Sequence, residues 1–422
     1  MQNRHLPVRP SLDQLKHQAR DLLRAIRAND PIAVAELELH HPKRIQPASA
    51  KLADAQLVLA RSYQASGWPR LALACKLIDA IWRDDAEAVR EIVVRHPKLL
   101  HEDALIRKSS NWGPPMSYAA NLGRDRIITM LHELGANDLH SAIARATLQS
   151  RIGTARMLHA MAGTPRPAAD ALDGPAYTLS ASGTELMFEL GARLRDDDGV
   201  LRAPVDVVLE TDSRDPEAKH RILEMYVEHG VQLPDTPTMA VHRGRLDLLE
   251  AHLVRDPGLL GRRFTHEEIY PPELGCHDEV LATHGTPLSG TILLHMCVDY
   301  DELESGRWLI ERGADVNARA AVDSDGFGGH TALFATVVSQ PNYRMNQGRK
   351  PQSAPFTELL LDHGADPNVR ASLRKQLHPG YGHEILHEYR NVTPLSWGQR
   401  FHSRMFVSEP AMRLIEQRGG IP

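Results

Sequence analysis

Two stretches of the chain share one plan: residues 111–138, NWGPPMSYAANLGRDRIITMLHELGAND, and residues 290–317, GTILLHMCVDYDELESGRWLIERGADVN. Each has a short apolar run, a polar turn, and a longer apolar run closed by glycine. In the second, His295 precedes Gly313 by 18 positions; in the first, Ser117 precedes Gly135 by the same 18. Self-similarity at a fixed spacing is a severe constraint. A unit this small cannot bury its apolar face alone, so it has to stack on copies of itself. The closing glycine suits the left-handed position that ends a helix.

Further copies are legible. Gly313-Ala314-Asp315-Val316-Asn317 and Gly364-Ala365-Asp366-Pro367-Asn368 are matching tails, and Thr331-Ala332-Leu333 and Thr393-Pro394-Leu395 are matching openings. Val94-Arg95-His96-Pro97-Lys98-Leu99-Leu100 is echoed by Val254-Arg255-Asp256-Pro257-Gly258-Leu259-Leu260. Residues 139–163, 174–195 and 203–233 read as degenerate helix pairs. Together these motifs resemble ankyrin-repeat proteins. The run LPVRPSLDQLKHQARDLLRA is similar to the leader of some bacterial members of that family. The resemblance implies an all-α fold: a solenoid of helix pairs with β-turn fingers, of about eight or nine units. Residues 74–422 are the expected solenoid, with degenerate middle repeats and long carboxy-terminal insertions. Residues 1–73 are expected to be a helical segment or cap. There Ser11 caps a helix through Ala28, with Leu12, Leu15, Ala19, Leu22, Leu23 and Ile26 on one face, and a second helix runs from Lys51 to about Tyr63.

Bulk properties agree. The chain is 42% hydrophobic, 24% charged and only 5% aromatic, a balance that favours stacked helices over an aromatic-rich sandwich. A net charge of −5 provides no global positive field, so no nucleic acid is expected as a partner. Cys75, Cys276 and Cys297 are odd in number and far apart, which suits reduced thiols rather than a disulfide framework. With no apolar run of signal-peptide or bilayer-spanning length, the expectation is a cytoplasmic protein without a membrane role.

In a stacked array the fingers and short helices are left for binding, so insertions there carry the functional reading. Residues 318–330 lengthen one finger, residues 340–355 fall between the helices of the unit that opens at Thr331, and residues 369–392 lengthen another finger. Asp323, Asp325, Phe327, Arg370, Arg374, Tyr389 and Trp397 are the expected partner-binding residues, for a protein partner on the concave finger surface. Asp323 and Asp325 do not complete a calcium loop, because the third oxygen ligand and the distant glutamate are missing. Arg344, Arg349, Lys350, Arg370, Arg374 and Lys375 form two basic clusters suited to an acidic partner or, secondarily, phosphate.

The last insertion also holds His383-Glu384-Ile385-Leu386-His387, the H-E-x-x-H spacing that binds zinc on a helix with the glutamate as base. A hydrolytic or small-ligand protein using zinc on His383 and His387 is therefore the alternative reading. Against it, Pro379-Gly380-Tyr381-Gly382 and Asn391 leave room for only about two helical turns. Arg390 and Thr393 stand where one class of such enzymes places glycine and histidine, and Glu409 lacks companions for the other. The expected form is a short loop helix facing solvent or a partner. His295 stands where the family carries a structural histidine between units. No catalytic residue and no cofactor are expected.

Overall fold

A computed structural model describes residues 6–106, 112–168, 170–196, 198–277, 285–338, 351–376 and 385–422. The chain divides into two units, residues 1–165 and 166–422. Residues 1–73 lie within the first of these. Among the described residues no helix is long and apolar enough to cross a membrane.

The first unit opens with α1 (Leu12–Arg27), α2 (Pro31–His40) and α3 (Leu52–Ser62). Ser11 accepts the Gln14 N–H at the start of α1, and Leu15, Ala19, Leu22 and Ile26 form its buried stripe at four-three-four spacing. Asp30, followed by Pro31, caps α2 by accepting from Ile32 and Ala33. Three antiparallel pairs follow: α4 (Trp68–Trp82) with α5 (Ala86–Arg95), α6 (Pro115–Leu122) with α7 (Asp125–Glu133), and α8 (Leu139–Leu148) with α9 (Ile152–Met161). First helices stack on first helices (α4 on α6, α6 on α8) and α5 stacks on α7, while α1 and α3 pack against α4.

The second unit repeats the scheme. Its pairs are α10 (Asp173–Thr178) with α11 (Ala181–Glu189), α12 (Val205–Glu210) with α13 (Pro216–Glu228), and α14 (Pro237–His242) with α15 (Leu246–Arg255). A single turn, α16 (His266–Ile269), precedes α17 (Leu293–Asp299) with α18 (Leu303–Glu311). Next come α19 (Ala332–Val337) with α20 (Pro355–Asp362) and, after a hairpin of β1 (Ala371–Lys375) and β2 (His387–Val392), α21 (Pro394–Arg400) with α22 (Glu409–Gln417). The first helices α14, α17, α19 and α21 pack in succession, as do the second helices α18, α20 and α22. Part of the insertion expected between α19 and α20, residues 340–350 of 340–355, lies outside the described residues.

The tails found in the sequence do specific work here. Gly313 at φ 96° ends α18, with its N–H on Ile310 O (2.9 Å) and the Ala314 N–H on Leu309 O (3.0 Å). Gly364 ends α20 in the same way, on Leu361 O (3.1 Å) and Leu360 O (3.0 Å). Both are paired bonds from a left-handed residue that satisfy the last carbonyls of a helix. Beyond each glycine the aspartate turns the chain: Asn317 N donates to Asp315 Oδ1 and Asn368 N to Asp366 Oδ1, both at 2.8 Å. The two asparagines then reach forward to the next tail. Asn317 Nδ2 donates to Gly364 O (2.9 Å) while its Oδ1 accepts from Asp366 N (2.8 Å). Asn368 Nδ2 donates to Gly419 O (3.1 Å) while its Oδ1 accepts from Ile421 N (2.8 Å). A repeated amide ladder thus ties three successive tails. The buried histidines of the first helices also repeat a role: His242 Nε2 lies 3.0 Å from Ile269 O, and His295 Nε2 lies 3.3 Å from His330 O. Burial pushes the His295 imidazole down to about 4, so it stays neutral and structural.

The fold departs from all-α at the last insertion. Strands β1 and β2 pair antiparallel, with Leu373 opposite Tyr389, Arg374 opposite Glu388 and Lys375 opposite His387. The cause is a neighbour distant in sequence. Gly328 bridges Ser372, with Gly328 N on Ser372 O (2.7 Å) and Ser372 N on Gly328 O (3.2 Å), so the preceding long finger templates β1.

Candidate partner surface on the long fingers

The two long fingers form one strip. Asp323 organises the tip of the first: its Oδ1 accepts the Asp325 and Phe327 N–H groups, each at 2.9 Å. The Phe327 N–H, then Asp325 N–H and Arg374, hold this exposed carboxyl below the usual range. Gly328 follows at φ 122°, and a Cβ there would sit 2.0 Å from Ala321 O, so only glycine fits where the finger closes on itself. Arg374 projects from β1 onto both acids, ion-pairing with Asp323 and reaching Asp325 Oδ2 at 3.1 Å. Its guanidinium carbon lies 4.5 Å from the centre of the Phe327 ring, and that of Arg390 lies 4.1 Å from it. Arg370 donates to Asn391 O at 3.0 Å and to Pro422 O at 3.5 Å.

Of the seven residues expected to meet a partner, Asp323, Asp325 and Arg370 are exposed and Arg374 is half-buried. Phe327, Tyr389 and Trp397 are not on the surface: they retain 5%, 4% and 0% exposure. Phe327 is a platform beneath two arginines. Tyr389 points inward, its ring edge-on to Trp397 at 4.7 Å and its hydroxyl 2.6 Å from His402 Nδ1. Alternation along β2 puts Tyr389 on the inner face, and α21 packs against that face. The residues that do present apolar surface were missed by sequence reasoning. They are Val322, Ile385 and Leu386, at 62%, 60% and 41% exposure.

The H-E-x-x-H reading is corrected at its last position. His387 begins β2, so it is strand and not helix, and its ring stacks on His402 at 3.8 Å. The one-turn helical spacing that would aim two imidazoles at one ion is not formed through His387. His383 and Glu384 lie outside the described residues. Glu409 opens α22 and pairs with Arg404 at 2.5 Å.

Sequence reasoning also missed a buried charge cluster in the second unit. Lys219 Nζ lies 2.6 Å from Glu302 Oε1, and both side chains are 2% exposed. His220 Nε2 lies 2.9 Å from the other oxygen of Glu302. Arg214 pairs with Asp299 at 3.1 Å and stands over the Tyr300 ring. Asp299 also accepts the Gly285 N–H at 2.8 Å. Lys375 closes the inner face of β1, and burial drives its amine down to about 7 against the pull of Asp299. The sequence hint was the inward parity of Ala371, Leu373 and Lys375, visible only once the strand is known.

No protein-family model matches the chain. No curated protein matches it. Among solved structures, it is similar to the crystal structure of the human ASB11 ankyrin repeat domain at 15% identity, over 73% of this chain and 99% of that one, with a TM-score of 0.24. A likeness at that score carries no argument. The case for stacked repeats rests on the ladder of tails and the recurrent histidines of the chain itself.

Proposed function

We propose that the chain is an ankyrin-type repeat scaffold that binds a protein partner through its finger side. The observation that carries this reading is the amide ladder of Asn317 and Asn368, which holds successive fingers in register without a helix between them. Fingers fixed in register form a rigid platform, and rigid platforms bind with little ordering cost. The long-finger strip supports the same reading. It offers exposed Val322, Ile385 and Leu386 beside a rim of Asp325, Arg370 and Arg390, the mix of apolar centre and polar rim that interfaces use.

The test is co-purification with tagged full-length protein, comparing Val322→Asp/Leu386→Asp and Asp325→Lys with the control Ile32→Asp/Val94→Asp elsewhere on the surface. A protein recovered with the wild type and the control, and lost from the finger variants at unchanged helical content, is the expected result. A partner that is retained by the finger variants refutes the assignment of the surface.

A further inference from the structure

Three successive fingers of the second unit are joined by arginines as well as by amides. Arg263, in the finger after α15, donates from Nη2 to Arg319 O at 3.0 Å. Arg319, two residues beyond the tail asparagine Asn317, donates from Nη2 to Arg370 O at 2.5 Å and from Nε to Gly329 O at 2.9 Å. Arg370, two residues beyond Asn368, donates in turn to Asn391 O at 3.0 Å and to Pro422 O at 3.5 Å. All three side chains belong to exposed residues, so each finger presents a guanidinium anchored on backbone carbonyls.

These anchors leave the charge in place. Several neighbouring arginines are neutralised: Arg312 pairs with Glu250, Arg390 with Glu388 and Arg418 with Asp362. Arg374, from the basic cluster read in the sequence, is taken by Asp323 and Asp325. Among the described residues no acidic side chain pairs with Arg263, Arg319 or Arg370. A carbonyl fixes a guanidinium without cancelling it, and donors remain at Arg263 Nε and Nη1 and at Arg319 Nη1. A cleft of about 460 Å³ opens between these first two rungs, lined by Arg263, Ile292, Gly313, Asp315, Asn317 and Arg319. Its carboxylate, Asp315, holds the Asn317 N–H at 2.8 Å and faces two guanidinium groups. The strip adjoins the apolar tip of the long finger. A Cβ on Gly329 would come 3.1 Å from Arg319 Nη2 and 3.5 Å from Val322 Cγ2, so both side chains flank that glycine.

We infer, resting on the finger-side reading above, that Arg263, Arg319 and Arg370 receive an extended acidic segment of a protein partner, with carboxylates on the rungs and an apolar residue against Val322. Stacked helices lie about 8–10 Å apart and an extended chain rises about 3.3 Å per residue, so acids about three positions apart meet successive rungs. Carboxylates take charge-assisted bonds from guanidinium donors, and donors already fixed by carbonyls lose little freedom on binding. The net charge of −5 does not oppose this, because charges more than about 8 Å away are screened at physiological salt. Asp315 selects a peptide over a nucleic acid. An oligonucleotide carries phosphate at every step, whereas a peptide sets a neutral residue opposite that carboxylate.

The test is fluorescence anisotropy on the full-length protein with a labelled peptide of repeated Glu-Val-Thr, which has glutamate at every third position and residues that favour an extended chain. The expected result is saturable binding at about 50 mM salt that falls about fivefold or more at about 300 mM. Arg263→Glu/Arg319→Glu should weaken it about tenfold or more, and the matching Gln-Val-Thr peptide should not bind. Arg263→Glu alone removes one hydrogen bond from the fold, so it reports on binding where the double variant disturbs the fingers. Peptide binding that Arg263→Glu leaves unchanged overturns the inference, as does a labelled oligothymidine that binds as tightly as the peptide. Absence of peptide binding overturns it too. In that case a partner still lost from Val322→Asp/Leu386→Asp on co-purification keeps the finger surface and removes only its acidic occupant.

Discussion

Replacing Glu302 by glutamine strands a charge in the interior of the second unit. Lys219 Nζ is 2.6 Å from Glu302 Oε1 and 4.3 Å from the centre of the Tyr300 ring, with the lysine side chain 2% exposed. Burial already lowers the Lys219 pKa, and Glu302 is the main group resisting that shift. Removing one partner of a buried pair costs about 3–5 kcal/mol, far more than the net worth of the pair, because the remaining ion has no solvent. A ceiling exists. At neutral pH the lysine can shed its proton for at most about 4.6 kcal/mol, the distance from its ordinary pKa at about 1.36 kcal/mol per unit. Stacked arrays do not unfold in one step, so the loss should be read locally by native-state hydrogen exchange. Amides of α13, α17 and α18 limited by opening of this region should exchange roughly 10²–10³ times faster in Glu302→Gln. Lys219→Met/Glu302→Leu should recover most of the protection, since apolar replacement of both ions is close to neutral. Acceleration below about fivefold in the single variant, or a double variant as weak as the single, would refute the claim that the uncompensated ammonium is what destabilises it.

Three further outcomes follow from named contacts. Lys375 has a folded pKa depressed to about 7, so from there up to its unfolded value the unfolded chain binds the extra proton. Its contribution therefore rises with pH by about 1.4 kcal/mol per unit over that window, and Lys375→Met should raise stability at neutral pH and flatten the rise, as denaturation midpoints at about pH 7 and 9 would report. Asn368→Ala removes partners from Gly419 O and Ile421 N, and should loosen α22 by about 1 kcal/mol, seen as faster exchange confined to the carboxy-terminal pair. Gly328→Ala forces a Cβ into Ala321 O and should cost about 1–3 kcal/mol, with loss of protection at the Ser372 amide, which Gly328 O accepts.

The pairing of helices was legible because its signals are local. Ser11, Asp30 and Asp215 cap within three residues of themselves, and the glycine tails end helices through bonds that span five positions. The same locality made the tail asparagines recognisable as repeated features before any partner was visible, whereas the matching role of His242 and His295 emerged only from their contacts. What the sequence could not determine depends on chain segments far apart. Residues 371–375 and 387–392 carry no strong strand pattern, and they pair as strands where Gly328, 44 positions before Ser372, offers β1 a further backbone to pair with. That pairing turned Tyr389 inward onto Trp397, put Phe327 beneath two arginines, and replaced the helix expected at His387 by a strand. It also buried Lys375, whose spacing in the sequence reads as part of a solvated basic cluster. Likewise His277 reaches Glu210 across 67 positions, and Glu302 reaches Lys219 across 83, distances at which periodicity and capping say nothing. Sequence set the unit and its ends, since these are decided by bonds within one turn; tertiary packing alone chose which charges lost their water and which donor groups converged.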